Sequence, residues 1–275
     1  MKTPEEALST VLARFPFIDY IHEESDVYRI IPATVAEYLR PPARVLDFGA
    51  GPCDKTAVLA SMGYDCTACD DLNDNWHRLP GNREKILAFA GEMGIEFHLL
   101  EGDHGVPFPL ESFDMLMMND VLEHLHNSPR ELLVNLLGYV KPGGYLLITV
   151  PNLVNLMKRV RVLAGKTNLG SYESYFWTPG QWRGHIREYV RDDLLQLAHF
   201  LNLEILQLKS CNHMLYAMPK ALRPVWCFLT GILRNGKDSL MLLARKNPGW
   251  SAVNIRNAAE GFESKSEEEP GLVPG

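Results

Sequence analysis

Residues 44–53 read Arg-Val-Leu-Asp-Phe-Gly-Ala-Gly-Pro-Cys, a short apolar strand running straight into a glycine turn. Behind the turn, Asp54 to Met62 is expected to be a helix, which makes a strand, turn, helix unit. Upstream, apolar residues recur at helical spacing in Glu5–Phe15 and Tyr28–Leu39, and Pro41-Pro42 stops the second helix. Downstream the alternation continues. Strands are predicted at Asp65–Cys69, Ile95–Leu100, Phe113–Met118 and Tyr145–Val150, with helices near Arg83–Ala90 and Pro129–Val140. Lys141-Pro-Gly-Gly144 is read as a stop ahead of the last of these strands. Strands alternating with helices imply an α/β fold with a parallel sheet covered on both faces.

The second half is less regular. Residues 153–190 hold Tyr172, Tyr175, Phe176, Trp177 and Trp182 among several basic residues and are predicted to be an inserted cap. A helix at Asp192–Leu201 and strands at Leu203–Lys209 and Ser239–Arg245 would complete the sheet as a hairpin-like edge. Residues 1–43 are expected to form a helical lid and 44–250 the main domain. Residues 251–275 turn polar and acidic and are expected to be a disordered tail. With 46% hydrophobic residues among 275, the chain can bury a full core, and its net charge of −7 argues against a general affinity for nucleic acid. Five cysteines and an acidic start, MKTPEEALST, point to a reduced, cytoplasmic compartment. No run reaches the roughly 18 apolar residues of a membrane span.

In an open α/β sheet, ligands bind beyond the carboxyl ends of the strands. A dinucleotide fingerprint needs a further glycine where this chain has Asp54, at the helix N-terminus that would hold the pyrophosphate. Asp47 adds a second carboxylate, and two like charges about 4 Å apart at an effective dielectric near 20 repel by about 4 kcal/mol. A ligand with an adenosine and a positive centre would instead welcome Asp47. Asp70 and Asp71 close the second strand about 20 residues after the turn, where a carboxylate can accept both ribose hydroxyls. Asp70 continues the strand, whereas Asp71 suits a helix cap. Asp103 could take an adenine amino group, and Asn119-Asp120 ends the fourth strand on the same rim.

These segments carry a resemblance. VLDFGAGPC, CDD, GDHGVPFPLESFDMLMMNDVLEHL and LLGYVKPGGYLLITVPN, spread over residues 44–152, resemble class I S-adenosylmethionine-dependent methyltransferases, in particular the group related to quinone-biosynthesis methyltransferases. The resemblance implies a Rossmann-like seven-stranded sheet with the last strand antiparallel and S-adenosylmethionine as cofactor. It places Asp47, Gly49 and Gly51 at the methionine end, Asp70 at the ribose, Asp103 and His104 at the adenine, and Asn119 at the amino group. Cys53 stands where the family has a third glycine.

The expected chemistry is methyl transfer to a hydroxyl, or an amine, of a small molecule or glycan. Transfer from a sulfonium needs collinear, dry positioning, and a base only where the acceptor carries a proton. His124, in Asp120-Val-Leu-Glu-His124, and His185, in Gly184-His-Ile-Arg-Glu-Tyr189, are the candidate catalytic bases, with a hydrogen-bonded structural histidine as the bland alternative. The aromatic cluster of 172–182 is either a substrate wall or the small core of the insertion. Tyr28, beside His22 and Arg29, is a candidate for closing the donor pocket. Residues 219–235 form an apolar block with Lys220, Arg223, Trp226 and Arg234, which fits either a helix buried over the last strands or a membrane-surface helix serving a lipid-linked acceptor. Cys66-x-x-Cys69 lies in a strand whose alternation parts the two side chains, and His124-x-His126 lacks further ligands, so no metal is expected. A nicotinamide dehydrogenase and a donor-binding relative without turnover remain as alternatives.

Overall fold

Alternating burial builds the sheet. In the computed structural model, which describes residues 2–100 and 108–268 with side chains to 260, Met115 and Met117 enter one core while Leu116 and Met118 enter the other. Met241 and Leu243 part from Leu240, Leu242 and Ala244 in the same way. Strands buried on both faces read as near-continuous apolar runs, which is what the sequence shows.

The strands are β1 (Arg44–Phe48), β2 (Asp65–Asp70), β3 (Glu96–Leu99), β4 (Phe113–Asn119), β5 (Val140–Pro151), β6 (Leu203–Cys211) and β7 (Ser239–Lys246). Their order is β3-β2-β1-β4-β5-β7-β6, with β7 antiparallel to both neighbours and the other described pairs parallel. Helices α1 (Pro4–Leu12), α2 (Val27–Tyr38), α3 (Asp54–Ser61) and α4 (Asn82–Glu92) contribute Val11, Ile31, Ala57 and Phe89 to the first core. On the other face α5 (Arg130–Gly138) and α8 (Arg191–Phe200) contribute Leu133 and Leu194. Cys66 and Cys69 fall into opposite cores, as strand alternation requires. The order reverses between β1 and β4, so the carboxyl ends of these strands open a crevice at the rim.

Three expectations need correction. The helix expected to reach Val140 ends at Gly138, and β5 begins at Val140 rather than Tyr145, so Lys141-Pro-Gly-Gly144 lies inside the strand, where the register shifts between Phe113↔Val140 and Met115↔Tyr145. Gly143 (φ +76°) turns the chain through this bulge. A Cβ on Gly144 would lie 2.8 Å from the Asp114 carbonyl oxygen, so the close approach of the strands needs glycine there. The insertion contains α6 (Leu156–Leu163) and α7 (Tyr172–Trp177), neither of which buries a residue. Tyr172, Tyr175, Phe176 and Trp177 touch one another but are more than half exposed, so the aromatic cluster is not a buried core of the insertion. Finally, the segment expected to be disordered from 251 forms α10 (Ala252–Glu268). Ile255 is buried in the second core, and Arg256 bonds Glu131 and Asn135 of α5. Composition favoured disorder, but contacts distant in sequence order the helix.

Replacing Ile255 with Ala is expected to destabilise the fold by about 2 kcal/mol, the low end for a buried Ile-to-Ala change. Thermal or urea unfolding reads this, and an unchanged midpoint would show that α10 contributes no packing.

Candidate functional site

The glycine turn is held by amides. Gly49 and Ala50 donate to the Cys69 carbonyl at 2.8 and 3.1 Å. The Gly51 amide donates to Asp70 Oδ2 at 2.8 Å, and the Leu72 amide donates to Oδ1 at 2.7 Å. Gly49 has φ +76°, and a Cβ there would meet Val121 Cγ2 at 2.4 Å, so no side chain fits. Cys53, in place of the third glycine, keeps a left-handed backbone (φ +61°) and is fully buried.

Beyond the turn lies a cavity of about 860 Å³. Asp19, Asp54, Asp70, Asp71, Asp74 and Asp120 border it, against the cations Lys55 and Arg183. Burial pushes the Asp70 carboxyl up despite its two amide partners. Tyr28 donates to Asp54 Oδ2 at 2.5 Å, and burial followed by the Asp54 charge raises the phenol. The Lys55 ammonium lies 3.6 Å from Asp54 and 3.7 Å from Asp120. Against the cost of burial, these carboxylates hold it above its ordinary value. Arg183 reaches from the insertion to Asp71 at 3.1 Å. Burial opposes ionisation of Asp71, but hydrogen bonds from the Asn73 amide and Arg183 hold its carboxyl below the ordinary value.

Gly49, Gly51, Asp70, Asp71, Asn119, Tyr28 and His124 therefore share one cavity. Asp47 does not. Expected at the methionine end, it lies beneath the turn, 2% exposed, and accepts the Thr56 hydroxyl at 2.5 Å. Strand alternation turns it into the first helical layer, and burial pushes its carboxyl up to about 7. Asp103 and His104 lie outside the described residues. Sequence reasoning missed Lys55, His77 and His213 as cavity residues; of these only Lys55, next to the turn, carried a local signal.

A second cavity of about 650 Å³ adjoins the first, and Asp120, His124 and His213 border both. His185 stands in its wall, with Nδ1 2.8 Å from Glu188 Oε1. Glu188 also pairs with Lys158. Nδ1 of His124 donates to the Arg183 carbonyl at 2.8 Å, and the two imidazoles meet edge to face at 5.0 Å. Glu123 is fully buried, and neither carboxyl oxygen has a partner among the described residues. Burial, with Asp120 and Glu188 adding, drives its carboxyl well above the usual range. Glu123, His124 and His185 place ligand atoms within 4.8 Å of one another, a donor set able to hold a cation. The spacing of His124 to His126 gave no hint of it, because His185 arrives from the insertion.

A family profile described as a methyltransferase domain matches residues 20–208, more than half of the chain, on this sheet. The chain belongs to the methyltransferase-domain family. Among curated relatives, the ubiquinone biosynthesis O-methyltransferase of Rickettsia canadensis (strain McKiel) is 23% identical over 176 residues, which is 64% of this chain and 67% of that protein. Its counterpart in Rickettsia felis is 23% identical over 60% of this chain and 62% of its own length. This methyltransferase thus spans about two thirds or less of those relatives. Among solved structures, the Burkholderia thailandensis 1,6-didemethyltoxoflavin-N1-methyltransferase, crystallised with 1,6-didemethyltoxoflavin and S-adenosylhomocysteine, aligns with TM-score 0.53 at 19% identity, covering 90% of this chain and 92% of that one. An S-adenosylmethionine-dependent methyltransferase of Methanosarcina mazei gives TM-score 0.53 at 18% identity, over 78% and 97%. At these identities the likeness is one of fold.

Fold and family support S-adenosylmethionine as the cofactor of this methyltransferase, and the first cavity fits it. Its carboxylates outnumber its cations, as a sulfonium and an ammonium require, and the buried Nδ2 of Asn119, which borders it, has no partner among the described residues.

Two outcomes follow. Asp70→Ala should weaken binding of S-adenosylhomocysteine by about 1.5–3 kcal/mol, the worth of charge-assisted hydrogen bonds. Isothermal titration measures it, and unchanged affinity would remove Asp70 from the ribose site. The raised pKa of Asp47 means that the folded state holds a proton which the unfolded chain releases near 3.8. Wild-type stability should therefore fall relative to Asp47→Asn as pH rises from about 4 to about 7, then run parallel above that. Unfolding midpoints across that range test the sign.

Proposed function

We propose that this methyltransferase places a methyl group on a hydroxyl of an apolar small molecule held in the second cavity, with His185 taking the proton. The pairing of His185 Nδ1 with Glu188 carries the proposal. A carboxylate behind Nδ1 keeps the proton on that nitrogen, leaves Nε2 as the lone-pair nitrogen, and stabilises the imidazolium formed on proton uptake. Burial opposes ionisation of Glu188, yet hydrogen bonds from His185 and Lys158 hold its carboxyl below the ordinary value, so it stays anionic.

S-adenosylmethionine, when bound, supplies an electrophilic methyl on a positively charged sulfur. Asp70 and Asp71 would hold its ribose, the turn at Gly49 and Gly51 and the groups around Asn119 and Tyr28 its amino-acid end. The chain's remaining work is to align the acceptor and exclude water. Asp120, His124 and His213, common to both cavities, mark where the two ligands meet.

An apolar acceptor is favoured over a glycan because Met157, Leu169, Met214, Met218 and Trp226 line the second cavity. Oxygen is favoured over nitrogen because a hydroxyl needs the base that His185 and Glu188 provide, and because the Rickettsia relatives are named O-methyltransferases. His124 is the second candidate base: its Nδ1–H is held by the Arg183 carbonyl, which also leaves Nε2 exposed to a proton.

Transfer of labelled methyl from the donor into an apolar extract is the direct test. Lack of any labelled product would favour a donor-binding relative without turnover. His185→Ala should leave S-adenosylhomocysteine affinity unchanged and lower kcat by about 10²–10⁴-fold, the usual range for a general base. Full turnover in that variant would move the base to His124.

A further inference from the structure

Three short helices turn apolar sides to solvent. In and beside α9 (Arg223–Ile232), Leu222, Val225, Phe228, Leu229 and Ile232 recur at helical spacing. Val225, Phe228 and Ile232 are 58–66% exposed, and Thr230 is the one buried residue of α9. A helix packed over the last strands would hide that face, so the structure decides against the buried alternative. In α6, Met157, Val160 and Leu163 form a similar stripe, with Leu163 87% exposed. In α7, Tyr172, Tyr175, Phe176 and Trp177 are 57–73% exposed.

These elements belong together. Met157 and Leu169 of the insertion and Met218 and Trp226 by α9 line the same second cavity. The Arg159 guanidinium donates to the Arg234 carbonyl at 2.9 Å, tying α6 to the end of the α9 segment. Exposed apolar surface of this extent marks an interaction site.

Charge selects the partner. Residues 153–190 and 219–237 hold ten of the 27 Lys and Arg but two of the 34 Asp and Glu. They carry a net +8 in a chain of net −7, which leaves −15 for the rest. Arg183, Arg187 and Arg223 are paired with Asp71, Asp193 and Glu24. Lys166, Lys220 and Lys237 form no ion pair among the described residues.

 An anionic bilayer matches both halves of this face: basic side chains meet the headgroups while aromatic and aliphatic ones enter the boundary below them. A second copy would set like charge against like charge, and a nucleic acid would leave the apolar stripes in water. Among the described residues no helix is long and apolar enough to cross a membrane, so contact is at the surface.

We propose that α6, α7 and α9 lay this face on a bilayer bearing anionic headgroups, beside the second cavity. The proposal is independent of the methyl transfer, because its test reads binding alone.

The full chain is sedimented with phosphatidylcholine vesicles, with and without phosphatidylglycerol. Binding is expected to the anionic vesicles, to weaken with salt, and to be slight on phosphatidylcholine alone. Phe228→Ser with Ile232→Ser should lower partitioning about tenfold, as loss of buried side-chain carbons predicts. Lys220→Glu with Arg234→Glu should do so by a similar factor. All four side chains lie outside both cavities, and an unchanged thermal midpoint confirms that the variants fold. Failure of the wild type to bind anionic vesicles, or equal binding by the serine variant, overturns the proposal. So does a dimer in light scattering that the serine variant abolishes while vesicles are ignored, or tighter binding to duplex DNA than to vesicles of equal phosphate content.

Discussion

The clamp between the glycine turn and the end of β2 is the constraint on which the rest depends. Four backbone amides, from Gly49, Ala50, Gly51 and Leu72, converge on the Cys69 carbonyl and the Asp70 carboxylate. Because β1 and β2 are paired in parallel register from Arg44↔Asp65 to Phe48↔Cys69, this clamp sets where the turn stands over the crevice. It also sets the start of α3, where Asp54 and Lys55 project into the first cavity. Asp47 supports the same turn from below through Thr56. The acidic character of the first cavity therefore comes from the rim of the sheet and the first turn of α3, with Asp47 acting as a strut.

The insertion completes what the sheet begins. Residues 185–189 are stitched to the segment after β4: the amide of Ile186 donates to the Glu123 carbonyl at 2.6 Å, and the Tyr189 hydroxyl donates to the Leu122 carbonyl at 3.3 Å. These bonds bring His185 to His124 although 60 residues of chain separate them. The price is a buried Glu123 carboxyl without a partner among the described residues, which burial disfavours in its charged form. Such a group costs stability unless something meets it.

Local patterns made the sheet legible. β1, β2 and β4 are short apolar runs bounded by turns, and the carboxylates at their ends follow directly from where those runs stop. Gly49, Gly51, Asp70 and Asn119 could be placed at one rim because every parallel strand ends there. Alternation puts Asp47 on the same face of β1 as Val45, but the sequence does not say that α3 covers that face, which is why Asp47 was assigned to the cavity rather than beneath it. The β5 bulge was missed because Lys-Pro-Gly-Gly has the composition of a stop, while its pairing depends on how closely Asp114 of β4 approaches Gly144. α10 was missed because Ile255 and Arg256 are ordered by α5, more than a hundred residues away in sequence. For α9 the spacing defined an apolar face but not the direction in which it points, since periodicity is the same for a buried helix and an outward one.

Arg183 touches both chambers with different parts of itself. Its guanidinium is bound to Asp71 on the rim of the first, and its carbonyl fixes the proton on Nδ1 of His124 at the border of the second. A single residue of the insertion thus contributes its side chain to the rim of one compartment and its backbone to the border of the other.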